Sequence, residues 1–316
     1  MIRNAIRLAL LGLATGAVLL LGGLAPAAAQ TCTASIDNIA FGPIDTLSGG
    51  NIDRTATVTV TCQSLAGAAV CAGINAGPAG LAVDGSRLMT SAGGQSLRFQ
   101  LYQDAARLVP WGSLDNPALG TTPRVVVPAG NNSVTLPLYA RIFAGQSTAP
   151  VGDYSAVFSG AQTAFYYGGV ALGCGVVLLP SVTRPSFEAR AQVASNCLVE
   201  ADDLNFGSQG LLNAAVAAAS RLRVRCTPGA PYSISLGGGS SGSGLPRFMT
   251  RTEGPGQITY GLYQDPAHAT PWTTAALVQG VGDGLTRTIP VYGLVPAQPT
   301  PPAGRYTDVV VVTVTH

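Results

Sequence analysis

Leu262, Tyr263, Gln264 and Asp265, followed by Pro271 and Trp272, decide how this chain is read, because the same words stand earlier as Leu101, Tyr102, Gln103 and Asp104 with Pro110 and Trp111. In both places the Trp follows the Asp by seven residues. The flanks match as well. Arg87, Met89 and Thr90 answer to Arg247, Met249 and Thr250; Pro137 and Tyr139 answer to Pro290 and Tyr292; and Gln146, Gly152 and Tyr154 answer to Gln298, Gly304 and Tyr306. Near each start a Cys precedes a Phe-Gly pair by nine residues, Cys32 before Phe41 and Cys197 before Phe206, and a second Cys follows at Cys62 and Cys226. Internal repetition of this kind means one module written twice, and 316 residues fit two domains of ordinary size.

Ahead of the first module, residues 1–29 read as a secretory signal: Arg3 and Arg7, an apolar run from Leu8 to Leu24, then Pro26 and three alanines. The small residues Ala27 and Ala29 suit cleavage before Gln30 better than an uncleaved anchor. Removing the signal takes two of the 17 basic residues and none of the 15 acidic ones, leaving 15 against 15. A mature chain without net charge has no general pull on nucleic acid or anionic lipid, so no nucleic-acid partner is expected. Only 10% of residues are charged, there is no Lys, and Gly and Pro number 40 and 22, which suits many short strands joined by turns.

Export makes an oxidising compartment, so the six Cys are read as disulfides. Six Cys allow 15 pairings, among which the repeat selects Cys32 with Cys62 and Cys197 with Cys226, leaving Cys71 with Cys174. Metal ligation is the weaker reading, since no Cys-x-x-Cys pair exists and His268 and His316 are the only two His. No cofactor or metal is expected.

The chain reads as strand after strand. Thr55 to Thr61 alternates Thr and Ala with Val, Leu97 to Tyr102 alternates less cleanly, Val309 to Thr315 is Val-rich with Thr interleaved, and Leu222, Val224 and Cys226 share one face while Arg221, Arg223 and Arg225 share the other. The Ala-rich run 214–219 leaves room for a helical turn. Between the modules, Phe187, Ala189, Ala191 and Val193 alternate with Glu188, Arg190, Gln192 and Ala194, a period-two pattern that a strand needs and a flexible linker does not. The expected fold is all-β, with two immunoglobulin-like sandwiches in tandem.

The set Cys197, Phe206, Gly207, Cys226, Arg247, Met249, Tyr263, Asp265, Trp272, Tyr292, Gly304, Tyr306 and the closing Val-Thr-Val-Thr resembles the spore coat protein U domain, the subunit module of archaic chaperone–usher pili. The second copy resembles it along nearly all of 197–316, while the first, with Cys71, Cys174 and an aromatic stretch added, looks divergent. The resemblance implies pilin-type sandwiches, the second lacking a strand that a neighbouring subunit supplies. It also implies a periplasmic chaperone to protect the open edge, an outer-membrane usher and a shaft subunit as partners, and export to the cell surface. It divides the chain into a signal at 1–29, a divergent adhesin domain at 30–183, an inter-domain strand at 184–196 and a pilin domain at 197–316. Cys32 lies two residues after the predicted cleavage point, which leaves almost no N-terminal extension to donate and points to a tip position. Phe187, Ala189, Ala191 and Val193 then become the expected in-chain donor strand of the first module.

Contact loops are expected at Leu65 to Val70, Leu114 to Leu119 and Ala164 to Leu172, the last with Phe165, Tyr166 and Tyr167 as an adhesive patch. No enzyme is expected. Gly238, Ser240 and Gly242 spell Gly-x-Ser-x-Gly in a Gly/Ser turn without the strand–turn–helix context the motif requires. Asp104 and Asp265 read as turn caps, Trp111 and Trp272 as core anchors, and His268 as a solvated turn residue. Attachment and biofilm formation follow as the expected role, with a structural coat protein as the alternative and a periplasmic binding protein as a third, less consistent with an open groove.

Overall fold

The computed structural model describes residues 31–64, 67–168, 173–174, 180–242 and 246–316. The expected signal therefore lies outside the described residues, as do Leu65, Ala66 and 169–172 of the expected contact loops. Every regular element is a strand or a short 3-10 turn, and among the described residues there is no α-helix.

The first module contains β1 (Thr31–Ile36), β2 (Ile39–Ile44), β3 (Ile52–Ser64), β4 (Ala68–Ile74), β5 (Arg87–Ser91), β6 (Ser96–Tyr102), β7 (Arg124–Val127), β8 (Gly130–Ile142), β9 (Gly152–Phe158), β10 (Thr163–Tyr167), β11 (Ser181–Thr183) and β12 (Phe187–Val193). They form an eight-stranded sheet in the order β1-β3-β8-β6-β5-β9-β12-β2 and a four-stranded sheet β11-β10-β4-β7. The large sheet curls until its two ends approach: Arg54 on β3 donates to the carbonyls of Ala40 and Phe41 on β2. The apolar faces enclose one core around Phe41, Phe99, Trp111, Phe158, Phe165 and Phe187.

The second module contains β13 (Cys197–Ala201), β14 (Val216–Cys226), β15 (Pro231–Leu236), β16 (Arg247–Arg251), β17 (Gln257–Tyr263), β18 (Val278–Val281), β19 (Arg287–Val295), β20 (Tyr306–Thr307) and β21 (Val312–Thr315). Its sheets run β13-β14-β19-β17-β16-β20 and β18-β15-β21, around a separate core centred on Trp272. The all-β tandem holds. The run 214–219 does not make a helical turn: Val216 to Ala219 open β14, whose antiparallel register with β19 places Val216 opposite Val295. Long-range pairing here overrides the helix preference of alanine. On the same strand Leu222, Val224 and Cys226 are buried, and Arg223 reaches Asp202 on the outer face at 2.6 Å.

Disulfides join Cys32 to Cys62, Cys71 to Cys174 and Cys197 to Cys226. The first and last link residues directly opposite each other, β1 to β3 and β13 to β14. Each Trp is held as an anchor by its ring N–H, Trp111 donating to the Ala72 carbonyl at 2.7 Å and Trp272 to that of Ile234 at 3.1 Å. The Asp of each repeat caps the turn that leads to the Trp. Asp104 accepts from the Leu108 and Val109 N–H groups and Asp265 from those of Ala269 and Thr270. In both turns the third residue after the Asp, Arg107 or His268, stands at positive φ, 58° and 57°. His268 is not simply solvated, because its ring packs edge-on against Tyr263 at 5.2 Å.

Candidate functional site

The two modules differ most where β12 sits. β12 lies between β9 and β2, antiparallel to the first and parallel to the second, and hydrogen-bonds to both. Its alternation does what the sequence pattern dictates: Phe187, Ala189, Ala191 and Val193 are all buried in the first core. Phe187 stacks on Phe158 with ring centroids 4.5 Å apart. Burial and a double ladder together make this strand integral to the module rather than a linker.

The corresponding place in the second module is empty of any strand among the described residues. β20, the counterpart of β9, keeps two residues of pairing with β16 and has no neighbour on its other side. Residues 204–209, the counterpart of β2, form no strand at all. Val309 to Val311, expected as part of the closing strand, are outside any strand, with Val309 75% and Val311 65% exposed. They lack the partner that β12 gives to β9. The register makes the comparison residue by residue. Ile39, Phe41, Met89 and Leu97 are buried in the first module, whereas their counterparts Leu204, Phe206, Met249 and Ile258 are only partly buried. Leu204 and Phe206 lean over Gly293, whose added Cβ would meet both side chains at 2.9 Å, and Phe206 packs edge-on against Tyr260 at 6.2 Å. The result is an unpaired sheet edge flanked by partly buried apolar side chains, an edge whose backbone groups stand open to pairing.

This edge also has a polar point. Asp308 stands where the first module has Ala156, as the pairing of Thr307 with Thr250 and of Ser155 with Thr90 fixes. Its Oδ2 accepts from the Tyr260 hydroxyl at 2.6 Å and its Oδ1 from the Ser240 and Val309 N–H groups at 2.7 and 2.8 Å. Burial works against the charged carboxyl, but these hydrogen bonds outweigh it and hold the Asp308 pKa below the usual carboxylate value. Burial and the same hydrogen bond push the Tyr260 hydroxyl up.

Beneath this edge lies a buried guanidinium. Arg247 donates to the carbonyls of Gly237, Leu236 and Trp272, and its counterpart Arg87 to those of Asn75, Ile74 and Trp111. Arg87 has one partner more, the side chain of Gln100. Gly261 stands at that position in the second module, and Arg247 Nη1 is left without a hydrogen bond. The recurrence of Arg two residues before Met was visible in the sequence, but burial of an arginine is not something its position announces. Asp308 carried a signal too, a lone acid between Thr307 and a run of valines.

The aromatic patch is corrected. Phe165 and Tyr167 are buried on β10, which pairs with both β4 and β11. Tyr166, on the opposite face, is half-buried and donates to Asp115 at 2.9 Å. Strand alternation splits the three between two faces, and they form no exposed loop. Ser240 sits on a 3-10 turn (Gly239–Ser241) between β15 and β16, not at a strand-to-helix elbow. Among the described residues no group of three or more His, Cys, Asp or Glu is arranged to hold a metal, and no helix is long and apolar enough to cross a membrane.

The Spore Coat Protein U domain matches this sequence twice, over residues 18–159 and 183–313. The chain belongs to the Spore Coat Protein U domain family. The second match includes β12, so one Spore Coat Protein U segment begins before the strand that the first module uses. A solved structure of similar fold is the CsuC-CsuE chaperone–tip adhesion subunit pre-assembly complex from archaic chaperone-usher Csu pili of Acinetobacter baumannii. It aligns with a TM-score of 0.57 at 18% identity, covering 90% of this chain and 100% of that one. The CupB6 tip adhesin from Pseudomonas aeruginosa aligns at a TM-score of 0.34 and 14% identity, over 90% of this chain and 94% of that one. No curated protein matches the chain in sequence. The Spore Coat Protein U modules are thus pilin-type immunoglobulin-like sandwiches, of the fold used by archaic chaperone–usher pilus subunits.

Proposed function

We propose that this protein is a tip adhesin of an archaic chaperone–usher pilus. Its second module accepts a strand from the next subunit, and its first module, completed by its own β12, carries the contact surface for attachment and biofilm formation. The observation that carries this reading is the matched pair of positions: a buried strand between β9 and β2 in one module, and an unpaired edge at β20 in the other. An edge of that kind invites misassociation unless another chain covers it. A periplasmic chaperone fills that need before assembly, and an outer-membrane usher and a shaft subunit after it. The likeness to a chain from a chaperone–tip adhesion subunit complex supports the chaperone among these partners.

The tip position is supported by the economy of strands. All 21 strands among the described residues are already bonded into sheets of their own module, so none is on offer to a neighbour. The role is non-catalytic, and its ligand is a surface or host molecule contacted by the first module.

Intact cells stained with gold-labelled antibody against the first module test this. Single gold particles at the ends of thin fibres are the expected result. Label along the fibres, or spread over a coat without fibres, would overturn the tip assignment in favour of a polymerising structural protein.

A further inference from the structure

The open edge of the second module is not chemically uniform, and a charged group, Asp308, sits where an incoming strand has to pack. In the first module the strand that fills the gap places Ala189 directly opposite Ala156, and Ala191 opposite Tyr154. Both alanines are buried, so this stretch of the gap has room only for short side chains. By register, the residue of an incoming strand at the position of Ala189 stands opposite Asp308, with its Cβ about 5 Å away. Asp308 is larger than Ala156, so the space left there is smaller still.

A carboxylate offers about four lone-pair sites. Ser240 N–H and Val309 N–H occupy Oδ1, and the Tyr260 hydroxyl takes one site of Oδ2. The Ser240 hydroxyl also lies beside this carboxylate, which keeps its charge at the open edge. Covering it with an aliphatic side chain would bury part of a charge against a surface that cannot hydrogen-bond, which is costly. We propose that the strand filling the second module's gap carries a short hydrogen-bond donor, serine or threonine, opposite Asp308, and that Asp308 and Tyr260 select it over an aliphatic residue. The first module, with Ala156 and Phe99 at these places, makes no such demand and takes alanine. The two gaps of one chain therefore differ in the strand they accept, which keeps β12-like segments from competing for the second.

This inference rests on the strand-accepting reading, and its test separates the two. Fluorescent extended peptides are built on the β12 sequence with serine, alanine or valine at the position of Ala189, and their binding to the full chain is followed by anisotropy. Hydrogen exchange at 304–310 locates the bound peptide. The serine peptide is expected to bind about tenfold more tightly than the valine peptide, and Asp308→Ala to abolish that advantage. If Asp308→Ala does not fold, Asp308→Asn, which keeps the shape and loses the charge, is expected to shrink the advantage several-fold. Peptides that bind alike, or a preference for valine, would sink the selection by Asp308 while leaving the gap intact. If no peptide binds at 304–310, the strand-accepting reading itself falls and this inference with it.

Discussion

At the scale of the residue, the two buried arginines are a matched experiment. Arg87 and Arg247 are both fully buried and both hold the carbonyls at the base of their Trp, but only Arg87 has Gln100 to take its remaining N–H. Burial draws the Arg87 pKa down to about 9, so each hydrogen bond that keeps its charge at home matters. Gln100→Leu is expected to destabilise the first module by about 1–3 kcal/mol through that orphaned donor. The reading is a drop of several degrees in its melting transition, with the second module unmoved. Asp53 makes a second point. Hydrogen bonding from Arg141 holds its pKa low, against burial, with the charges of Arg107 and Arg141 assisting. A folded pKa below the unfolded value of about 3.9 means that the unfolded chain takes up the proton first as pH falls. The stabilisation is complete above that value and is lost as pH drops through the folded pKa. Thermal melts in acid are expected to show a shallower decline for Asp53→Asn than for the unsubstituted chain.

At the scale of the element, β12 and its missing counterpart govern behaviour. Phe187→Ala removes the ring stacked on Phe158 from a position 3% exposed, and about 3–5 kcal/mol is expected to go with it. Calorimetry should lower the first module's transition alone; an unchanged transition would mean that β12 is only docked. Native-state hydrogen exchange is expected to protect the β9 and β12 amides strongly and those of Val310 and Val311 weakly, since the latter stand outside any strand. Of these elements, β12 was legible because Phe187, Ala189, Ala191 and Val193 alternate without a break. The repeat likewise located both Trp anchors, both Asp caps and the cross-strand bridges, since identical words fold into identical places. What pattern alone did not reveal was partnership. Val309 to Val311 spell a strand as clearly as Val312 to Thr315 do, yet they stand outside any sheet. Phe165 to Tyr167 read as exposed because three aromatics crowd one another in sequence, whereas pairing with β4 and β11 sets them on alternate faces.

At the scale of the whole molecule, the modules meet through a short tied junction. The Ala194 N–H donates to the Ile44 carbonyl at 3.0 Å, Asn196 Nδ2 to Asp45 at 2.9 Å, and the Val151 N–H to the Pro228 carbonyl at 2.9 Å. Asn196 is also bonded to Thr227 through its backbone, so it bridges both halves. Asn196→Ala is expected to speed proteolytic cleavage at the junction while leaving both melting transitions in place. An unaltered cleavage rate would show that the other bonds suffice.

The position of β12 along the chain also sets an order of events. It ends at Val193, just ahead of Cys197, where the second module begins. A polypeptide emerging from its N-terminus therefore has every strand of the first module in hand before the second has any. The half in which β12 pairs on both sides is complete early, and the half with the unpaired β20 edge arrives last. The unpaired side of β20 therefore becomes exposed only after every strand of the first module and most of those of the second have emerged.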